Sequence, residues 1–392
     1  MTLISSIFVL LFVALVAGEL LNRVGIPSVV GELLTGLILG PAVLGIVSPN
    51  QVFSGISEVA LFFIVLLIGI EATTDSLIKN YKPAMVFTAT SFIIPVVAMV
   101  IVSTMVFHLG YISAIVLSVA VGVPSISIVS VILRDYDMLR VRAGHIILAS
   151  VVITDIIAFA VASIFLNPKA VYYEVPGIVI FMILFFTLDM EVRKHSKLVV
   201  ELFTRLHATE RGEKIIFGSI ILSGLIIASI FEIIGITYVL GAFFAGIIIS
   251  EVVVGRELQG ILTRTLSRIN DSFFIPIFFA IAGLNSIFPP RDSVYLMFAL
   301  VAVGIAISVP LDYIYGRTVF EHISAKTGVG ILGGRGAVGI VIATVALSSG
   351  IITRGLFSVA VFATLIISTC LPPLVTKKDI HIPEEASELL YY

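Results

Sequence analysis

Apolar runs close to twenty residues long recur along this chain at intervals of about 25–35 residues, and that recurrence leaves few folds open. At a rise of about 1.5 Å per residue, each run is long enough to cover a hydrocarbon core about 30 Å thick. Thirteen spans are predicted, at 3–21, 26–45, 56–72, 83–107, 111–133, 144–166, 171–190, 213–231, 235–251, 271–288, 293–316, 326–348 and 353–374. Inside lipid every backbone polar group must find its partner within the protein, so spanning segments are helices or closed barrels. The short alternating segments of a barrel are absent. With 59% hydrophobic and 12% charged residues and a mean hydropathy of +1.19, the composition excludes a soluble domain. The expected fold is an all-α polytopic membrane protein.

The 23 Lys and Arg residues set the orientation. Nineteen fall after odd-numbered spans, three (Lys169, Arg291 and Arg354) after even-numbered ones, and Arg335 lies inside a span. The positive-inside rule therefore places the amino terminus outside and the carboxyl terminus in the cytoplasm, and it supports an odd number of spans. The first segment lacks a basic n-region and an A-x-A site, so it is expected to stay as a helix. Residues 1–376 read as one transmembrane unit, followed by a short cytoplasmic tail at 377–392. The lone Cys370 has no partner for an internal disulfide.

One carboxylate stands out. Asp155 sits near the middle of GHIILASVVITDIIAFAVASIF (144–165), a stretch with no other Asp, Glu, Lys or Arg. An Asp at the centre of a spanning helix costs roughly 2.5–3.5 kcal/mol on insertion scales, so such acids face protein or water and handle ions or protons. Thr154 precedes it with a hydroxyl that donates and accepts without titrating. A buried carboxylate is costly when bare; binding a proton or a monovalent cation in turn is enough to couple two opposing fluxes.

The chain also repeats. An offset of 210 lays GIPSVVGELLTGLILG (25–40) over GITYVLGAFFAGIIIS (235–250), aligning three glycines: Gly25 with Gly235, Gly31 with Gly241 and Gly36 with Gly246. A slightly larger offset lays FFIVLLIGI (62–70) over PIFFAIAGL (276–284). Corresponding spans lie seven apart, an odd number, so two six-helix copies (3–166 and 213–374, joined by a helix at 171–190) are expected to run in opposite directions. Inverted repeats of this kind underlie alternating access in secondary transporters.

Both copies are interrupted at the same place. Span five carries Gly122 and Pro124 at its centre, with Ser125 and Ser127 behind, and a proline there removes a donor and breaks the helix. The matching point in span twelve is Gly334, within GVGILGGRGAVGIV. Freed carbonyls and half-helix ends at such breaks supply ion ligands or partial charges. Arg335 sits in the second break, and its guanidinium does not give up a proton, which suits a structural and electrostatic role. Glu71 closes span three in LIGIE, within reach of a cytoplasmic ion funnel, and Glu32 lies inside span two, buried or packed against a polar neighbour. Asp312, Glu19, Asn270 and Asp271 sit nearer helix ends and are expected to be solvated. GVGILG (328–333) matches G-x-G-x-x-G but lies in an apolar span without a preceding strand, so no nucleotide site is expected. No HExxH, Cys cluster, P-loop or GxSxG is present; enzymatic catalysis, a cofactor and a nucleic-acid partner are not expected.

GIPSVVGELLTGLILGP, LFFIVLLIGIE, GVPSISIVSVIL, VVITDIIAF, YVLGAFFAGIIISE, FFIPIFFAIAGL and GGRGAVGIVIA, in this order, resemble the monovalent cation:proton antiporter superfamily, in particular its sodium/proton exchanger and Kef-like branches. The resemblance implies thirteen helices, two crossing broken helices in a core domain, a dimerisation domain and a homodimer in the cell membrane. It maps the ion-binding aspartate onto Asp155, the broken-helix serines onto Ser125 and Ser127, the acid closing the third span onto Glu71 and the arginine of the RGA stretch onto Arg335. Related proteins often carry Asp, Asn or Gln where this chain has Thr154, and electrogenic members pair a second acid with a buried lysine that span ten lacks. The implied activity is electroneutral exchange of sodium (or lithium or potassium) for protons, with a potassium/proton antiporter or a Kef-like cation channel as the alternative.

Overall fold

The computed structural model describes residues 2–23, 28–71, 74–125, 142–166, 210–234, 238–248, 256–319 and 324–371, with single positions at 26, 129, 133, 138, 187 and 375. Among these residues every regular element is helical. In chain order they are α1 (Leu3–Arg23), α2 (Ser28–Leu39), α3 (Gln51–Glu71), α4 (Thr74–Thr88), α5 (Ile94–Met105), α6 (Tyr111–Gly122), α7 (Arg142–Leu166), α8 (Glu210–Ile234), α9 (Tyr238–Ile248), α10 (Arg256–Ile269), α11 (Ile275–Asn285), α12 (Arg291–Val319), α13 (Ala325–Leu332), α14 (Ala337–Ser348) and α15 (Arg354–Cys370). Two π-helical turns, π1 (Ala89–Ile93) and π2 (Asn270–Phe274), join α4 to α5 and α10 to α11. Six helical runs among the described residues are long and apolar enough to cross a membrane, one of them the continuous stretch Asn80–Met105 through α4, π1 and α5. The expected polytopic all-α class is the observed one. The expected helix at 171–190, Ser127 and the tail at 377–392 lie outside the described residues.

The chain divides into two compact units. One comprises Met1–Gln51, Asp75–Ala162 and Phe279–Tyr392; the other comprises Val52–Thr74 and Ser163–Phe278. In the first, α1 packs on α2, α6 packs against α5, α14 and α15, and α12 runs along α5, π1, α13 and α15. Its α4 kinks at Asn80 (φ −116°, ψ 15°), three residues before Pro83, whose ring crowds the preceding turn. In the second unit, α8 packs on α9, and the Phe63 and Phe274 rings stack with centroids 4.6 Å apart.

Glycines set the closest helix crossings. In the first unit a Cβ on Gly36 would overlap the Ala280 carbonyl, and one on Gly283 would overlap that of Leu33, so α2 and α11 touch backbone to backbone. In the second unit Gly69 and Gly246 stand in the same relation to Phe243 and Leu66, across α3 and α9. The sequence offsets carry Gly36 onto Gly246 and Gly69 onto Gly283, so each contact is the image of the other. Any larger side chain at these four positions must push two helices apart.

Helix α10 departs from the sequence reading, which leaves 252–270 as a loop. Leu258, Ile261, Leu262, Leu266 and Ile269 recur at helical spacing, while Arg264 and Arg268 are exposed and Leu262 and Leu266 are buried. The stretch is too short and too charged to read as a span, yet it carries an amphipathic period.

Candidate functional site

The two interruptions meet. Helix α6 ends at Gly122, and Val123 turns to extended backbone (φ −69°, ψ 122°), as the steric demand of the following Pro124 requires. On the other side α13 ends at Leu332, and α14 starts only at Ala337, leaving Gly333–Gly336 between them. Pro124 and Arg335 form an antiparallel bridge, in which the Ser125 N–H donates to the Gly334 carbonyl at 2.7 Å. A donor and an acceptor freed from the two broken helices are thereby paired within the protein. Ser125 itself is buried.

Arg335 closes this junction. Its guanidinium is buried; Nη1 donates to the carbonyl of Gly122, the last residue of α6, and Nη2 donates to the Ser91 carbonyl of π1 at 3.3 Å. A helix C-terminus presents unpaired carbonyls and partial negative charge, so a cation is well placed there. The Arg335 backbone is held in turn by Ser368 of α15, whose hydroxyl accepts from the Arg335 N–H at 3.0 Å and donates to the Arg335 carbonyl.

Asp155 lies near the middle of α7 with 0% of its surface exposed, and neither of its carboxylate oxygens has a hydrogen-bond partner among the described residues. Buried polar atoms are nearly always paired, so a carboxylate with two unpaired oxygens is built to receive something. The preceding Thr154 is buried as well. Its hydroxyl donates to the Ser150 carbonyl at 2.8 Å, and the Thr88 hydroxyl at the end of α4 donates to the same carbonyl at 3.0 Å. The two Thr Oγ1 atoms are 3.5 Å apart. With their protons on Ser150, both leave lone pairs to accept.

The structure thus brings Pro124, Ser125 and Arg335 into one junction and sets Thr154, which precedes Asp155 on α7, beside Thr88. Glu32 is elsewhere: it is buried on α2 where α2 packs against α1, close to Gly18. Glu71 ends α3, and its side chain lies outside the described part of the structure. Among the residues expected to be solvated, Glu19 pairs with Arg23 at 2.8 Å on an exposed helix face, and Asp271 is exposed. Two others are corrected. Asp312 is only 3% exposed, because α12 continues to Val319 and Asp312 falls on its buried stripe with Leu300, Gly304 and Ser308. Asn270 is fully buried in π2, where Nδ2 donates to the Phe63 carbonyl at 3.2 Å. Thr88, Thr90, Ser91 and Ser368 are also absent from the sequence reading. The four-residue recurrence of Leu300, Gly304, Ser308 and Asp312 was the signal available for Asp312.

A polytopic helical bundle that joins two broken helices through a buried arginine, and buries on a further helix a carboxylate with no partner among the described residues, has the architecture of an ion-handling membrane protein. The profile of the transmembrane sodium/hydrogen exchanger family matches residues 7–377, and the chain belongs to that family. It is 26% identical over 376 residues to the probable Na(+)/H(+) antiporter 3 of Methanocaldococcus jannaschii, covering 94% of this chain and 95% of the relative. To the Na(+)/H(+) antiporter of Enterococcus hirae it is 27% identical, covering 96% and 98%. The Na(+)/H(+)-K(+) antiporter GerN of Bacillus cereus is 27% identical, with 92% of each chain covered. The fold is similar to that of the sodium proton antiporter MjNhaP1 from Methanocaldococcus jannaschii at pH 8, with a TM-score of 0.62 at 16% identity, over 98% of this chain and 96% of that one.

Proposed function

We propose that this protein is a secondary antiporter that exchanges sodium for protons across the cell membrane, with the cation and the proton competing for Asp155. The observation that carries this reading is the pair of buried Asp155 oxygens that have no hydrogen-bond partner among the described residues. Left bare, a buried carboxylate costs several kcal/mol, so it is stable only with a proton or a cation upon it. Transport then requires only that the loaded site open to one side at a time. The paired interruptions and the mirrored glycine contacts support two inverted repeats working by alternating access in a homodimer whose amino terminus is outside.

Thr88 and Thr154 fit the cargo. Oxygens 3.5 Å apart subtend about a right angle at an ion roughly 2.4 Å from each, the spacing that hard cations of that size accept. Thr88→Val or Thr154→Val is expected to raise the apparent KM for sodium about three- to tenfold, matching the roughly 0.5–1.5 kcal/mol of one lost polar contact. Proton-site occupancy, followed as pH-dependent sodium inhibition, should be unchanged.

The exchange is proposed to be electroneutral, one proton per cation, since Asp155 carries one charge and Thr154 adds none. Proteoliposomes test this. An imposed sodium gradient should drive proton movement at a rate indifferent to a potassium–valinomycin membrane potential; a rate that follows the potential would refute the stoichiometry, and sodium flux without proton flux would refute the exchange. The GerN relative, named for potassium as well as sodium, favours potassium as the second cargo to assay.

A further inference from the structure

A second buried carboxylate in the same unit takes no part in that scheme. Asp312 accepts a 2.6 Å hydrogen bond on Oδ1 from the Thr90 hydroxyl. Thr90 belongs to π1, as does Ser91, whose carbonyl accepts from Arg335 Nη2. One short π-helical turn therefore holds Asp312 with a side chain and Arg335 with the adjacent backbone. The carboxylate and the guanidinium are both buried, each against one of two adjacent residues of this turn. A π turn exposes carbonyls that an α-helix would engage, and such turns mark functional positions. Here it gives Arg335 an acceptor and puts the Thr90 hydroxyl on Asp312.

We propose that Asp312 is the counter-charge of Arg335, and that π1 holds the two in register so that the junction of the broken helices is neutral. Asp155 is then the carboxylate left to trade cation for proton. Asp312 is a positioning residue: it touches no cargo and acts through Arg335. Without it, an unbalanced buried guanidinium would lower the site's attraction for sodium, because charges in a poorly screened interior act over long distances. This inference rests on the proposed role of Asp155.

The test compares Asp312→Asn, Asp312→Glu, Arg335→Gln and the double variant Asp312→Asn/Arg335→Gln in proteoliposomes, reading apparent KM for sodium, maximal rate and thermal midpoint. Asp312→Asn should raise the sodium KM about tenfold or more while the maximal rate changes less. Asp312→Glu should restore most of the affinity. The losses of the neutral double variant in stability and sodium affinity should be smaller than the sum of those of Asp312→Asn and Arg335→Gln, an outcome two independent structural contacts would not produce. A wild-type sodium KM in Asp312→Asn, or a double variant whose defects simply add, would overturn the inference. Should Asp312→Asn fail to fold, the double variant is read against Arg335→Gln: a double variant at least as stable as Arg335→Gln supports the charge pairing, and one less stable overturns it. Asp155→Asn in parallel separates the two ideas, because retained exchange there defeats the underlying reading whatever Asp312 does.

Discussion

Asp155→Asn will reduce sodium-driven proton flux to the level of protein-free vesicles, a loss of about a hundredfold or more, while the protein folds and inserts normally. Asn has nearly the shape of Asp but no ionisable oxygen, so it cannot alternate between a proton and a cation. Its amide needs no counter-charge, and the cost of burying a bare carboxylate disappears. The thermal midpoint of the variant should therefore equal or exceed that of the wild type. In the wild type, competition at one group predicts that each unit fall in pH raises the apparent KM for sodium about tenfold once the proton holds the site. The maximal rate at saturating sodium should change far less across the same range. Flux assays over a pH series check both statements.

The second large effect is expected at Arg335. Arg335→Gln removes the two donors that reach the Gly122 and Ser91 carbonyls and leaves both acceptors buried. Each orphaned carbonyl costs about 1–3 kcal/mol. Loss of positive charge from the end of α6 adds to this. The variant should lose several degrees of thermal midpoint and most of its turnover. Arg335→Lys separates charge from shape: an ammonium keeps the charge but lacks the planar fork that spans two carbonyls. It should recover part of the stability and little of the turnover, if the junction must be held as a unit for the site to move. Thermal melts and initial rates on the same preparations measure the two.

The residues legible in the sequence are those whose presence is expensive. Asp155 and Arg335 declare themselves because charge in an apolar span needs a reason, and Pro124 and the glycines of 333–336 do so because proline breaks a helix and clustered glycines weaken one. Thr88, Thr90, Ser91 and Ser368 were invisible on the same grounds. A hydroxyl in a helix satisfies itself on the preceding turn, as Thr154 does on Ser150, so its composition says nothing about a second partner. Asp312 was misplaced because its depth depends on where α12 ends, and an apolar window locates a span better than its terminus. The π turns leave no signature of their own, since one extra residue per turn changes the hydrogen bonds and not the composition. Glycine spacing was the exception among small residues. The offsets that align Gly36 with Gly246 and Gly69 with Gly283 anticipate which backbones touch.

The central claim is that one carboxylate is shared by two cargoes in turn, and proton release on cation binding measures it most directly. Purified protein in weakly buffered detergent, at a pH where Asp155 is protonated, should release about one proton for each sodium bound, and Asp155→Asn should release none. Sodium binding without proton release, or equal release from Asp155→Asn, would contradict the account.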